Sequence, residues 1–223
     1  GVYSVTSGDF NRDGKVDLAT ASAGLDLISI LIGNGDGTFV VPASTYAVGD
    51  APQSVTSGDF NRDGKLDLAV ATNTPGSAYV LIGNGDGTFV VPGTGYSVGT
   101  SPVFITSSDF NRDGKLDLAV ANSTSTDISI LNGVGDGTFG LPTNYTVPSY
   151  PRSIAIGDFN RDGKSDIATA NVASGNVSVL LNAPHQIISK GLVNTSVRKL
   201  QVNVALDEND EGKILNTDWY ELN

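Results

Sequence analysis

The chain has 223 residues and 39% hydrophobic content, room for one or two domains with a packed core, which argues against a wholly disordered chain. Charged residues make up 17% and glycines number 27, a turn-rich profile that argues against helical bundles and coiled coils. The net charge of −11 repels phosphate backbones, so cations are expected as partners and nucleic acid is not.

No apolar run approaches the roughly 18–20 residues of a membrane helix, so no membrane insertion is expected. Gly1-Val2-Tyr3 opens without a charged or apolar leader, the start of a soluble mature chain or of a fragment of a longer one. The absence of cysteine removes disulfides, thiolate metal sites and a cysteine nucleophile.

In chain order, the sequence repeats itself. Asp9-Phe10-Asn11-Arg12-Asp13-Gly14-Lys15-Val16-Asp17 returns at Asp59–Asp67, Asp109–Asp117 and Asp158–Asp166, at offsets of 50, 50 and 49 residues. Thr56–Ala71 and Thr106–Ala121 differ at one position, Gly58 against Ser108. A second marker, Gly-Asp-Gly-Thr-Phe, ends at Phe39, Phe89 and Phe139, and Leu181-Asn182-Ala183-Pro184 stands in its place in the fourth unit. The units span about 1–49, 50–99, 100–148 and 149–182, followed by a tail at 183–223.

Within a unit the apolar residues alternate in short runs bounded by Gly, Asn, Asp and Pro, which predicts strands and turns. In the second unit strands are predicted at Gln53–Ser57, Leu66–Ala71 and Ala78–Ile82, with a fourth from Thr88–Val91 to Tyr96–Val98, bent at Pro92. Four strands in about 50 residues is the size of a propeller blade, and such sheets must stack to bury their faces. The predicted fold is all-β, a β-propeller of four-stranded blades with calcium-binding hairpin loops; a linear β-solenoid is the alternative. In the tail, Arg198–Leu206 is predicted as a strand, with Lys213–Leu222 pairing across the acidic turn at 207–211. That hairpin either completes the last blade, contacts a neighbouring subunit or begins another domain.

Asp-x-Asn-x-Asp-Gly-x-x-Asp places oxygen donors at positions 1, 3, 5 and 9 and a turn-permitting glycine at 6. Calcium takes six to eight hard oxygen ligands, and a backbone carbonyl at position 7 with a water completes that shell. The predicted ligands are the side chains of Asp9, Asn11, Asp13 and Asp17 with the Lys15 carbonyl. In register they are Asp59, Asn61, Asp63, Lys65 and Asp67; Asp109, Asn111, Asp113, Lys115 and Asp117; and Asp158, Asn160, Asp162, Lys164 and Asp166. About one Ca2+ per repeat, up to four, is expected. An EF-hand would need Glu at position 12, where Thr20, Val70, Val120 and Thr169 stand. Without a cation, three crowded carboxylates would raise one another's pKa, although Asx-turns alone are the simpler alternative.

These motifs resemble the FG-GAP or VCBS repeat of secreted and cell-surface proteins, related to the calcium-bearing blades of integrin α-subunit propellers. The resemblance implies a calcium-stabilised propeller, extracellular or at the cell surface, that serves adhesion or binds a protein or glycan. It also implies seven blades, where this chain has four units.

Catalysis is not expected. The one imidazole, His185, lies outside the repeats, and the carboxylate pairs recur in every unit, whereas a catalytic pair is usually unique. Arg12, Arg62, Arg112 and Arg161, with the loop lysines, are expected as solvated charges offsetting the loop acids. Phe10, Phe60, Phe110 and Phe159 are expected between blades, and Tyr46, Tyr96 and Tyr145 as packing residues. The sequence therefore predicts a non-enzymatic extracellular binding module. The alternatives are a self-associating structural subunit with a strand-donating tail, and a calcium-dependent lectin.

Overall fold

The computed structural model describes residues 1–91, 93–183, 186–194 and 200–201, and among them every regular element is a strand. The first sheet holds β1 (Val2–Gly8), β2 (Asp17–Ser22), β3 (Leu27–Gly33) and β4 (Phe39–Ala47). The second holds β5 (Asp50–Gly58), β6 (Asp67–Thr74), β7 (Ser77–Gly83), β8 (Phe89–Val90) and β9 (Tyr96–Ser97). The third holds β10 (Pro102–Ser108), β11 (Asp117–Asn122), β12 (Asp127–Leu131) and β13 (Thr143–Thr146). The fourth holds β14 (Pro151–Gly157), β15 (Asp166–Asn171), β16 (Asn176–Ala183), β17 (Gln186–Asn194) and β18 (Leu200–Gln201). Each sheet is an antiparallel meander, and the register recurs: Gly8 pairs with Asp17, Gly58 with Asp67, Ser108 with Asp117 and Gly157 with Asp166. The nine-residue motif thus bridges the first two strands of each sheet.

The structure departs from the predicted elements in two places. The fourth strand of the second unit is split, with β8 pairing to Ile82 and Gly83 and β9 to Ser77 and Ala78, so both pieces lie along β7. Pro92 lies outside the described residues. In the fourth sheet an unpredicted strand, β17, starts at Gln186, because the meander continues directly from β16 with Ala183 opposite Gln186, and β18 falls within the predicted strand Arg198–Leu206. The predicted strand at Lys213–Leu222 and the acidic turn lie outside the described residues.

Apolar alternation explains where the core forms. Among the described residues, apolar side chains gather in three clusters, each shared by two successive sheets. Phe10, Ile28 and Ile30 meet Val55, Leu68 and Phe89; Phe60, Ala69 and Val80 meet Ile105, Leu118 and Phe139; Phe110, Ile128 and Ile130 meet Ile154, Ile167 and Leu180. β6 and β11 lie between two such clusters, so Asp67–Thr72 and Asp117–Asn122 are buried on both faces, and their sequences are near-continuous apolar runs.

The clusters are tied across units by aromatic rings. Phe89 packs edge-on against Phe10 and Tyr46, with centroids 5.6 and 5.8 Å apart, and Phe139 does the same with Phe60 and Tyr96 at 5.7 and 5.8 Å. Phe10, Phe60 and Phe110 are accordingly 2–3% exposed, but Phe159, in the last unit, is 50% exposed. Phe60→Ala should therefore cost about 3–5 kcal/mol in urea unfolding, whereas Phe159→Ala should cost under about 1 kcal/mol. Equal losses would contradict the assignment of the core to the spaces between sheets.

Candidate metal centre

Each loop folds around its own side-chain oxygens. The Asp13 N–H donates to Asp9 Oδ1 at 3.0 Å and to Asn11 Oδ1 at 3.0 Å, the Gly14 N–H to Asp9 Oδ2 at 2.9 Å, and the Lys15 N–H to Asp13 Oδ1 at 2.9 Å. The other three loops repeat every one of these bonds within 0.1 Å. Positions 1, 3 and 5 thus stand around one turn, and the turn forces Arg12, Arg62, Arg112 and Arg161 to φ of 61–62°, a region that glycine usually occupies.

The last aspartate of the motif also ties the loop to the sheet. Asp17 is fully buried; its Oδ2 accepts from the Phe10 N–H at 2.9 Å and its Oδ1 from the Gly33 N–H, at the end of β3, at 2.8 Å. Asp67 does the same for Phe60 and Gly83, Asp117 for Phe110 and Gly133, and Asp166 for Phe159 and Asn182. Glycine is required at 33, 83 and 133 because a Cβ there would collide with the carbonyl oxygen of Val16, Leu66 or Leu116. Position 9 therefore pins the loop to the third strand.

The electrostatics differ within the loop. The Lys15 N–H, partly offset by desolvation and assisted by Asn11 and the Lys15 ammonium, holds the Asp13 carboxyl below the usual carboxylate range. At Asp63 desolvation is the largest single influence, but hydrogen bonds from Lys65 and Asn61 outweigh it and the carboxyl is again lowered. Each position-7 lysine lies 3.0–3.9 Å from its position-5 aspartate. Burial pushes the Asp67 and Asp117 carboxyls up against the pull of their backbone N–H groups, and the charges of Asp63 and Asp113 add to the rise.

Among the described residues no three His, Cys, Asp or Glu side chains gather closely enough to hold a metal ion by carboxylates and imidazoles alone. The donor chemistry nonetheless fits a hard divalent cation. Asp9, Asn11 and Asp13 offer hard oxygens that keep lone pairs beyond the N–H bonds they accept. At Asp67 and Asp117, whose carboxyls burial and the neighbouring carboxylate push up, a cation would relieve the cost of the buried charge.

The second marker proves to be a docking element, which the sequence did not disclose. Asp36 Oδ1 accepts from the Thr38 N–H at 2.9 Å and the Thr38 hydroxyl at 2.6 Å, closing the turn. In the following units the turn seats on the loop before it: the Gly87 N–H donates to the Phe10 carbonyl at 3.0 Å and the Gly137 N–H to the Phe60 carbonyl at 3.1 Å. The Phe89 and Phe139 N–H groups donate to the hydroxyls of Tyr46 and Tyr96 at 3.0 and 3.1 Å. The fourth unit lacks the marker, and there the Asn182 side-chain amide donates to the Phe110 carbonyl. The signal available in the sequence was the marker's fixed place in three units, but a backbone donor leaves no side-chain pattern.

The FG-GAP-like repeat model matches residues 9–70, 59–120 and 109–169, each match running from one loop through the next. The chain belongs to the FG-GAP-like repeat family. A search of curated proteins returned no match.

Among solved structures, the chain is similar to BBS1N, crystallised in complex with ARL6DN, at 18% identity and a TM-score of 0.59, covering 90% of this chain and 64% of that one. It is also similar to a putative 6-phosphogluconolactonase from Bacteroides fragilis, at 17% identity and a TM-score of 0.66, covering 84% and 53%. A functionally unknown protein from Desulfotomaculum acetoxidans matches at 16% identity and a TM-score of 0.62, covering 92% and 68%. These likenesses concern the fold: an all-β chain of successive antiparallel sheets. The chain spans 64% and 53% of the lengths of the first two.

Asp67→Ala should leave the Phe60 and Gly83 N–H groups buried without an acceptor, at about 2–5 kcal/mol for the two. Amide hydrogen exchange of those two groups should accelerate with the loss of stability, and unchanged protection of Gly83 would refute the pinning role.

Proposed function

We propose that the chain is a calcium-stabilised, non-enzymatic interaction module whose sheets are blades of a β-propeller, working outside the cell or at its surface. The observation that carries this reading is the fourfold recurrence of one oxygen-lined loop with the same bonds in every unit. A catalytic centre needs one unique constellation, whereas a stiffening ion serves every repeat alike.

In each unit the ion would be held by the first, third, fifth and ninth residues of the motif and the position-7 carbonyl, in the first unit Asp9, Asn11, Asp13, Lys15 and Asp17. Bound there, it supplies positive charge to the loop and fixes the bridge between the first two strands. Sites of this charge and exposure suit the calcium level of extracellular modules, about 10⁻⁴–10⁻³ M.

Within the segments at 22–26 and 72–77, residues 24–26 and 73–75 are exposed and free to vary, and these are the surfaces proposed to meet a protein or glycan. The complex of BBS1N with ARL6DN supports protein binding as a use of this fold.

Titrating calcium into metal-free protein, followed by calorimetry and thermal unfolding, tests the reading. Uptake of up to four ions with a rise in Tm is expected; no heat and no shift at millimolar calcium would refute it. Asp63→Ala should lower Tm more in calcium than after chelation, and equal losses would deny that loop a metal role.

A further inference from the structure

The first three loops are each held from outside by the unit that follows. The Phe10 N–H donates to Asp17 of its own loop, and the Phe10 carbonyl accepts from the Gly87 N–H of the second unit, so both backbone groups at position 2 are fixed. Phe60 is held in the same way by Asp67 and the Gly137 N–H. Phe110 is held by Asp117 and by the side-chain amide of Asn182, in the fourth unit.

In the first two loops the contact extends to positions 3 and 4. A Cβ on Gly87 would stand 3.6 Å from Asn11 Cβ, and one on Gly85 would stand 3.1 Å from Arg12 Cδ. The same places on Gly137 and Gly135 lie 3.5 Å from Asn61 Cβ and 3.4 Å from Arg62 Cδ. The glycines of the second marker thus lie directly against a residue read as an ion ligand.

The covering turn is itself fixed. The Asn84 N–H donates to the Thr88 carbonyl at 2.9 Å and the Thr88 N–H to Asp86 Oδ1 at 3.0 Å, and the turn hangs from Gly83, whose N–H is bound by Asp67 at 2.8 Å. The last aspartate of one loop therefore anchors the turn that covers the loop before it. In the fourth unit one residue joins the two loops: the Asn182 N–H donates to Asp166 Oδ1 at 2.8 Å, while its amide reaches the Phe110 carbonyl and, at 3.3 Å, the Ser165 carbonyl.

We propose that each of the first three ion sites is a composite of two units, in which the Gly87 turn, the Gly137 turn and Asn182 are positioning elements for the loop in front of them. The inference rests on the calcium reading given above. Positions 1 and 3 flank position 2 in the chain, so a residue fixed at both backbone groups holds the Asp and Asn oxygens in place before an ion arrives. The loop then loses less freedom on binding. Groups that orient metal ligands without touching the metal change affinity by about 10–100-fold. By reciprocity, an ion in one loop favours the docking of the next unit by the same factor.

The test is a calcium titration of the 223-residue chain, followed by NMR at Gly14, Gly64, Gly114 and Gly163, whose N–H groups each donate to the first aspartate of their own loop. Asn182→Leu removes the amide and keeps the backbone bond to Asp166. It should raise the calcium midpoint at Gly114 by about tenfold or more and leave Gly14 and Gly64 unchanged. Gly137→Ala, whose Cβ would meet Ile82 Cδ1 at 2.6 Å and lift the turn off the second loop, should move the midpoint at Gly64 and leave Gly14 unchanged. Amide spectra without calcium check that each variant folds, and because the two act on different loops, either one alone carries the test. An unchanged midpoint at the affected loop, or an equal rise at every glycine, would overturn the proposal while leaving calcium binding in place. An unaltered chain whose four glycines do not respond to calcium would instead remove the calcium reading itself, and this inference with it.

Discussion

The aspartate that closes each loop accepts hydrogen bonds from two backbone N–H groups that are 16 and 7 residues away in the chain. A carboxylate taken out of water is costly unless hydrogen-bonded, and bonds to an ionised group are stronger than neutral ones. Asp17, Asp67, Asp117 and Asp166 therefore fix, in one place, the end of the first strand, the start of the second and the end of the third. The phenylalanine one residue past the loop's start is held by the same bond, so its ring enters the space between sheets and its carbonyl is aimed at the next unit. The sheet, the core and the contact between units all depend on this arrangement, and the exposed turn at positions 1–6 is built upon it.

Because each core lies between two sheets, no described unit buries its apolar face alone, and each depends on the sheet packed beside it. Asn182 shows how the chain adapts to losing a docking turn: one side-chain amide replaces a backbone donor on the carbonyl of Phe110. The loop lysines sit beside the acids that they offset, so each of the four loops presents a partly balanced surface.

Much of this was legible in the sequence. The repeat period, the strands of the second unit up to Ile82, and the roles of Phe10, Phe60 and Phe110 follow from alternation and from the turn residues. The exposure of Phe159 was not legible, because its sequence neighbours match those of its buried counterparts and burial depends on which sheet packs beside it. Pro92 marks a bend in the fourth strand of the second unit, but the pairing of both pieces, β8 and β9, along β7 has no local signature. The backbone bonds of position 9, including one to Gly33 across 16 residues, belong to tertiary geometry and leave no trace in the motif. The sequence chemistry of the loop, hard oxygens on a tight turn, was read from residue type alone, and the structure adds the bonds that hold those oxygens around one turn.

The close match between Thr56–Ala71 and Thr106–Ala121 extends to pairing register: Val55 lies opposite Val70 as Ile105 lies opposite Val120. Nothing in the facing side chains would stop β5 from pairing with β11 instead of β6. Chain connectivity decides. The correct partner is reached by closing a loop of eight residues, the wrong one by closing fifty-eight, a difference of about 2 kcal/mol in closure entropy. The units are thus kept in order during folding chiefly by the shortness of the loop, so a nick or a long insertion within Asp59–Leu66 would make exchange of strands between neighbouring repeats, or between molecules, nearly as favourable as the native pairing.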